Sequence, residues 1–77
     1  MIGAYILAKV QGGKEKTIRE ELSGSEFVKE LTFVHGEYDM LLKVEAQDLE
    51  ELDGFLFNEL RQVPGVKETM TLIVAYV

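Results

Sequence analysis

The chain has 77 residues, 47% apolar and 29% charged, with a net charge of −6, one histidine and no cysteine. This suits one small globular domain, excludes a disulfide framework, and argues against a structural zinc site, since cysteine is absent and there is a single histidine. The acidic balance repels phosphates and the eight basic residues form no run, so direct nucleic-acid binding is not expected.

No apolar run approaches the ~20 residues of a membrane helix. No basic segment precedes the apolar start Met1–Lys9, so a signal peptide is not expected either, and the protein is read as cytoplasmic. A domain this short buries a small core and needs further support; with disulfides excluded and structural zinc argued against, self-association is the expected source.

Residues 3–10 alternate, Ala4, Ile6, Ala8 and Val10 against Tyr5, Leu7 and Lys9, which predicts a first strand. Gly12-Gly13 breaks it. Lys14–Leu22 is rich in Glu, Lys and Arg, with Ile18 and Leu22 four apart, a first helix with a narrow apolar stripe. Ser23-Gly24-Ser25 ends it, and Phe27–Val34 is the second strand. Gly36 supplies the reversal into a third strand over Tyr38–Glu45. Asp48 with Glu51 three residues later is a capping-box pattern. The helix it opens carries Leu49, Leu52, Leu56, Leu60 and Val63 as its stripe, with Phe55 beside them. Gly54 inside that helix costs about 1 kcal/mol against Ala and is read as a point of close packing on the sheet. Pro64-Gly65 stops the helix, and Val66–Val74 is the fourth strand.

The halves repeat. Ile6–Gln11 is similar to Met40–Glu45, Glu21-Leu22 to Glu59-Leu60, and Val28-Lys29-Glu30 to Val66-Lys67-Glu68. Two βαβ units with right-handed crossovers interleave as a ferredoxin-like α+β fold, βαββαβ, with strand order 4-1-3-2 and both helices on one face. Ile6, Ala8, Val10, Met40, Leu42 and Val44 are expected under the helices. The other face is expected to hold Leu7, Leu41, Leu31, Phe33, Thr69, Thr71 and Ile73. Five of these are large and apolar, which predicts a homodimer joined through Leu7, Leu31, Phe33, Leu41 and Ile73.

The polar cluster Gly36-Glu37-Tyr38-Asp39, at the rim of the sheet, is the best candidate ligand site. Asp39 suits an ammonium group, and the plain alternative is a solvated turn. Thr69 and Thr71 suit a carboxylate, or fill strand positions that threonine favours. His35 has no Ser or Cys nucleophile beside it. The acidic run Glu45, Asp48, Glu50, Glu51 and Asp53 is mostly a helix N-terminus, and no metal site is assigned to it. No phosphate loop and no cofactor motif is present. Strands three and four lie two spacings apart, roughly 10 Å, so one small ligand touching both the loop and the threonines would need two chains.

Taken together, Val34-His35-Gly36-Glu37-Tyr38-Asp39-Met40-Leu41-Leu42-Lys43-Val44, Val63–Lys67, Thr69–Val74 and Ala4–Val10 resemble the C-terminal ligand-binding (RAM) domain of the Lrp/AsnC family over residues 1–77. The resemblance implies the same fold, dimers through the sheets, rings of dimers, and amino-acid effectors held between subunits. It implies that Gly36, Tyr38 and Asp39 form the effector loop, with Glu37 at its variable position and Thr69 and Thr71 nearby. The family's DNA-binding domain is not recognised here. A stand-alone effector-binding and oligomerisation module is therefore expected, one that modulates transcription or amino-acid metabolism, acting with a full-length regulator and without catalysis. The competing reading is a small dimeric α/β-barrel enzyme using His35, Tyr38 and Asp39 as acid/base groups. An amino-acid-binding module of the ACT type is a third.

Overall fold

The computed structural model describes residues 1–75, so the last two residues of the domain expected over 1–77 lie outside the described ones. The elements are strand β1 (Ile2–Val10), helix α1 (Glu15–Ser23), strand β2 (Val28–Phe33), strand β3 (Met40–Ala46), helix α2 (Leu49–Asn58), a 3-10 turn (Leu60–Gln62) and strand β4 (Val66–Ile73). The sheet is antiparallel with order β2-β3-β1-β4, the expected topology counted from its other edge.

The inner strands β1 and β3 keep strict alternation. Ala4, Ile6, Ala8 and Val10 of β1 and Met40, Leu42, Val44 and Ala46 of β3 are buried beneath the helices. Ile18 and Leu22 of α1 and Leu52 and Phe55 of α2 close over them, joined by Leu60 and Val63. Phe27 meets Phe55 at 5.8 Å between ring centroids. Among the described residues no polar or charged side chain is buried. The layer between sheet and helices is therefore a closed apolar core.

Helix α2 starts where the capping pattern places it. Asp48 Oδ1 accepts the Glu51 N–H at 2.9 Å, and Glu51 Oε1 accepts the Gln47 N–H at 2.8 Å. Leu52, Leu60 and Val63 of the expected stripe are buried and Leu56 is partly so, but Leu49 is exposed, and the α-helix ends at Asn58 rather than at Pro64-Gly65: Leu60 lies in the 3-10 turn and Val63 in extended backbone. Gly54 does not pack on the sheet. A Cβ built there meets only Asn58 Nδ2, at 4.0 Å, so the expected close approach is absent. Gly65 is the glycine that the fold does need. Its φ is +101°, and a Cβ there would lie 2.7 Å from Lys14 Cβ. Its carbonyl accepts the Gln11 N–H at 2.7 Å, joining the end of β1 to the start of β4.

The edge strands correct the expected faces. Residues directly opposite on neighbouring strands share a face. Leu31 pairs with Leu42 and Phe33 with Met40; Thr69 pairs with Ala8, Thr71 with Ile6 and Ile73 with Ala4. All five therefore lie on the helix side. Arg19 of α1, with its guanidinium 5.2 Å from the Phe33 ring centroid, marks that side directly. The cause is a pair of β-bulges. Val28 pairs with Val44 and Glu30 with Lys43, leaving Lys29 unopposed. Val66 pairs with Val10 and Glu68 with Lys9, leaving Lys67 unopposed. Each extra residue reverses the alternation beyond it. Both bulges fall at the lysine of the repeated Val-Lys-Glu.

The open face is still apolar, with different residues. Thr32, Leu41, Leu7 and Met70 form one row across all four strands, and Leu72 pairs with Tyr5 in the next. Tyr5 is 39%, Met70 44% and Leu72 49% exposed, while Leu7 and Leu41 are half-buried between them. Lys9, Glu68, Lys43, Glu30 and Glu45 surround this patch.

Candidate functional site

The β2–β3 hairpin turns through Val34–Asp39 at the end of the sheet where β1 also ends. Gly36 has φ +147°, backbone that side-chain-bearing residues rarely adopt. Val34 N–H donates to the Asp39 carbonyl at 2.9 Å, closing the loop. Asp39 then fastens the loop to β1 twice. Its N–H donates to the Ala8 carbonyl at 2.9 Å, and its Oδ2 accepts the Val10 N–H at 3.0 Å. The side chain thus extends the β3–β1 ladder by one rung. Residue types alone did not disclose this role; it follows from Asp39 immediately preceding β3 opposite the end of β1.

Beside Asp39 is a cavity of about 380 Å³ between the hairpin and the start of α1. Phe33, Val34 and Val10 supply apolar walls, and His35, Glu15 and Asp39 supply polar ones. Glu15 Oε1 accepts the Gly13 N–H at 2.9 Å, so each carboxylate has one oxygen on a backbone donor. The second oxygens make no hydrogen bond among the described residues. Two carboxylates beside an imidazole favour a cationic group such as an ammonium. Glu15 was not singled out from the sequence, although the topology sets the Gly12-Gly13 turn beside the hairpin.

The hairpin separates the other expected site residues. Tyr38 is on the opposite side from the cavity, with Lys9 Nζ 5.7 Å from its ring centroid; Lys9 belongs to the open face and pairs with Glu68 at 3.6 Å. Gly36 and Glu37 face solvent. Thr69 lines a different cleft, about 420 Å³, with Arg61, Val66, Lys67 and Glu68. Thr71 is half-buried and lines neither. Within one chain, then, the loop and the threonines do not converge. Among the described residues, no group of three His, Cys, Asp or Glu side chains is arranged to hold a metal, and no helix is long and apolar enough to cross a membrane.

Residues 3–75 match the sequence profile of the Lrp/AsnC ligand binding domain. The chain belongs to this family. This Lrp/AsnC domain is 38% identical over 71 residues to the HTH-type transcriptional regulator FL11 of Pyrococcus abyssi, a match covering 92% of the chain and 46% of that protein. It spans about half the length of the curated relatives it matches, which are named transcriptional regulators. The crystal structure of FFRP-DM1 has the same fold with a TM-score of 0.92 and 39% identity, covering 97% of this chain and 100% of that one. The regulator NMB0573 of Neisseria meningitidis, solved as a complex with L-Met, shares the fold at a TM-score of 0.82 and 22% identity, covering 97% of this domain and 50% of that chain.

Proposed function

We propose that this Lrp/AsnC domain senses an amino acid and assembles through its open sheet face, as the regulatory part of a transcription system, without touching DNA itself. The half-buried carboxylate of Asp39, facing a cavity that also holds Glu15, carries the reading. The effector's ammonium binds the remaining oxygens of Asp39 and Glu15, and its side chain lies against Phe33 and Val34. The cavity opens to solvent, so its outer wall comes from a neighbouring subunit, which is also how Thr69 of another chain joins the site. That NMB0573, of the same fold, was solved with L-Met supports the choice of ligand class. The net charge of −6 supports regulation through association with a DNA-binding partner.

The homodimer forms through Leu7, Leu41, Tyr5, Met70 and Leu72, because an apolar row this continuous marks an interface. Leu31, Phe33 and Ile73, expected there from strict alternation, face the helices. The enzyme reading is weaker. Tyr38 lies across the hairpin from His35 and Asp39, and among the described residues no polar side chain is buried in the core beneath the sheet to line an active site.

Titration calorimetry with a panel of amino acids tests the effector site. Asp39→Asn keeps an acceptor for the Val10 N–H and removes the charge. Losing a charge-assisted hydrogen bond costs about 1.5–3 kcal/mol, so affinity falls about 10–150-fold, and Glu15→Gln weakens binding in the same direction. Equal affinity in all three proteins, or no heat from any amino acid, defeats the reading.

A further inference from the structure

Helix α1 begins at the effector cavity and carries a positive charge there that the fold leaves unused. Glu15 lines the cavity, and Arg19 follows four residues later, one turn along the same face of the helix. A carboxylate placed four residues ahead of a cation is the favourable order for an ion pair on a helix surface. That pair is not made. Glu15 Oε1 turns back to the Gly13 N–H at 2.9 Å. Among the described residues Arg19 has no ion pair, and its guanidinium makes no hydrogen bond. The guanidinium lies instead over the Phe33 ring, 5.2 Å from its centroid, and Phe33 is a wall of the cavity. The ring attracts the cation and leaves its fork of N–H donors unfilled.

We propose that Arg19 binds the carboxylate of the effector, so that one chain holds both charged ends of the amino acid. This rests on the effector site proposed above and adds the group that site lacks. Asp39 and Glu15 offer only negative charge, which suits the ammonium and repels the carboxylate beside it. A zwitterion takes the place of the missing ion pair. Its ammonium sits on the two carboxylates, and its carboxylate meets the planar fork of Arg19, which matches it bidentately. A plain amine fills the acidic side and leaves Arg19 unpaired. The site therefore selects amino acids over amines of the same shape, by a group the amine cannot satisfy. Thr69 of another chain then adds a neutral hydrogen bond, not the charge that the carboxylate needs.

Titration calorimetry tests this with each of the twenty amino acids and its α-carboxamide. Wild type is expected to bind the acid more tightly than the amide. Arg19→Gln is expected to weaken the acid about 10–150-fold and to leave the amide unchanged, since the amide offers no carboxylate. Asp39→Asn is expected to weaken both. Arg19 is exposed, so Arg19→Gln is expected to melt with wild type. If Asp39→Asn weakens binding and Arg19→Gln does not, the effector site stands and Arg19 is not part of it. If Arg19→Gln weakens acid and amide equally, Arg19 acts by holding Phe33, and the carboxylate contact is overturned. If no amino acid binds wild type, both readings fall.

Discussion

The inner and edge strands of this sheet are built from the same repeated sequence and follow different rules. In β1 from Ala4 onward, and throughout β3, side chains alternate without interruption and every second residue is buried. In β2 and β4, a lysine stands outside the pairing near the start of each strand, and everything after it changes face. An inner strand is paired on both sides, so an added residue would disrupt two ladders. An edge strand has one neighbour, and a bulge there also makes the free edge a poorer template for another strand. The repeat has therefore kept its pattern where both neighbours enforce it and has gained a phase reversal where only one does.

The largest effect should come from charging the two faces in turn. Phe33→Glu puts a carboxylate against the core beside Met40, and should lower stability by about 2–4 kcal/mol, less than a fully buried site because Phe33 is half-covered. Leu41→Glu, one residue along β3 from that partner but on the open face, should leave a folded chain and shift it to monomer. Urea denaturation and sedimentation read the two together. If Phe33→Glu remained fully stable and merely dissociated, Phe33 would belong to the open face after all.

Deleting Lys67 tests the reversal itself. Without the bulge, Met70 and Leu72 turn toward the helices and Thr69, Thr71 and Ile73 toward the open face. A cost of about 1–3 kcal/mol is expected, from bulk forced into a filled layer, together with loss of assembly. Lys67→Ala keeps the bulge and should change stability by no more than about 0.5 kcal/mol, as exposed positions do. Similar behaviour of the two variants would show that the bulge does not set the face.

These bulges also mark the limit of what the sequence discloses. The βαββαβ order, the strand order, the helix cap at Asp48 and the inner-strand core at Ile6, Ala8, Leu42 and Val44 all follow from periodicity and capping chemistry. Those signals are local and repeated. The faces of β2 and β4 do not follow, because one unpaired residue is invisible to a period-two pattern. The hairpin was legible as a polar cluster at a rim, and Gly36 as its turn. That Asp39 and Tyr38 lie on opposite sides of it was not, since the split depends on how the loop meets β1. Glu15 was missed because it belongs to a different element and reaches the cavity only through the sheet topology.

Asp39 gives the next smaller effect, at the junction of inner and edge strands. Its carboxylate satisfies the Val10 N–H where β1 parts from the hairpin. Asp39→Ala leaves that donor without its partner in a half-buried place, at a cost of about 1–2 kcal/mol. Asp39→Asn should retain most of the stability, because an amide oxygen still accepts. Amide exchange at Val10 is the direct probe: faster in the alanine variant, near wild type in the asparagine variant. Equal exchange in both would mean that the side chain does not hold β1.

The smallest effect is predicted where an inner and an edge strand meet on the open face, at Lys9 and Glu68. They face each other across the β1–β4 ladder with 3.6 Å between charged atoms, and their side chains are 38% and 71% exposed. Water screens a pair so exposed, and ordering two long side chains offsets much of the attraction, so such pairs contribute about 0–1 kcal/mol. Glu68→Gln should therefore change the stability of the monomer by less than about 0.5 kcal/mol, with the small difference vanishing in high salt. In the assembled protein the same pair borders the apolar row, where a second copy would exclude water and strengthen it. A difference that appears only when the protein is associated, measured by denaturation at low and high protein concentration, would place Lys9 and Glu68 at the rim of the sheet interface. An equal effect at both concentrations would place them outside it.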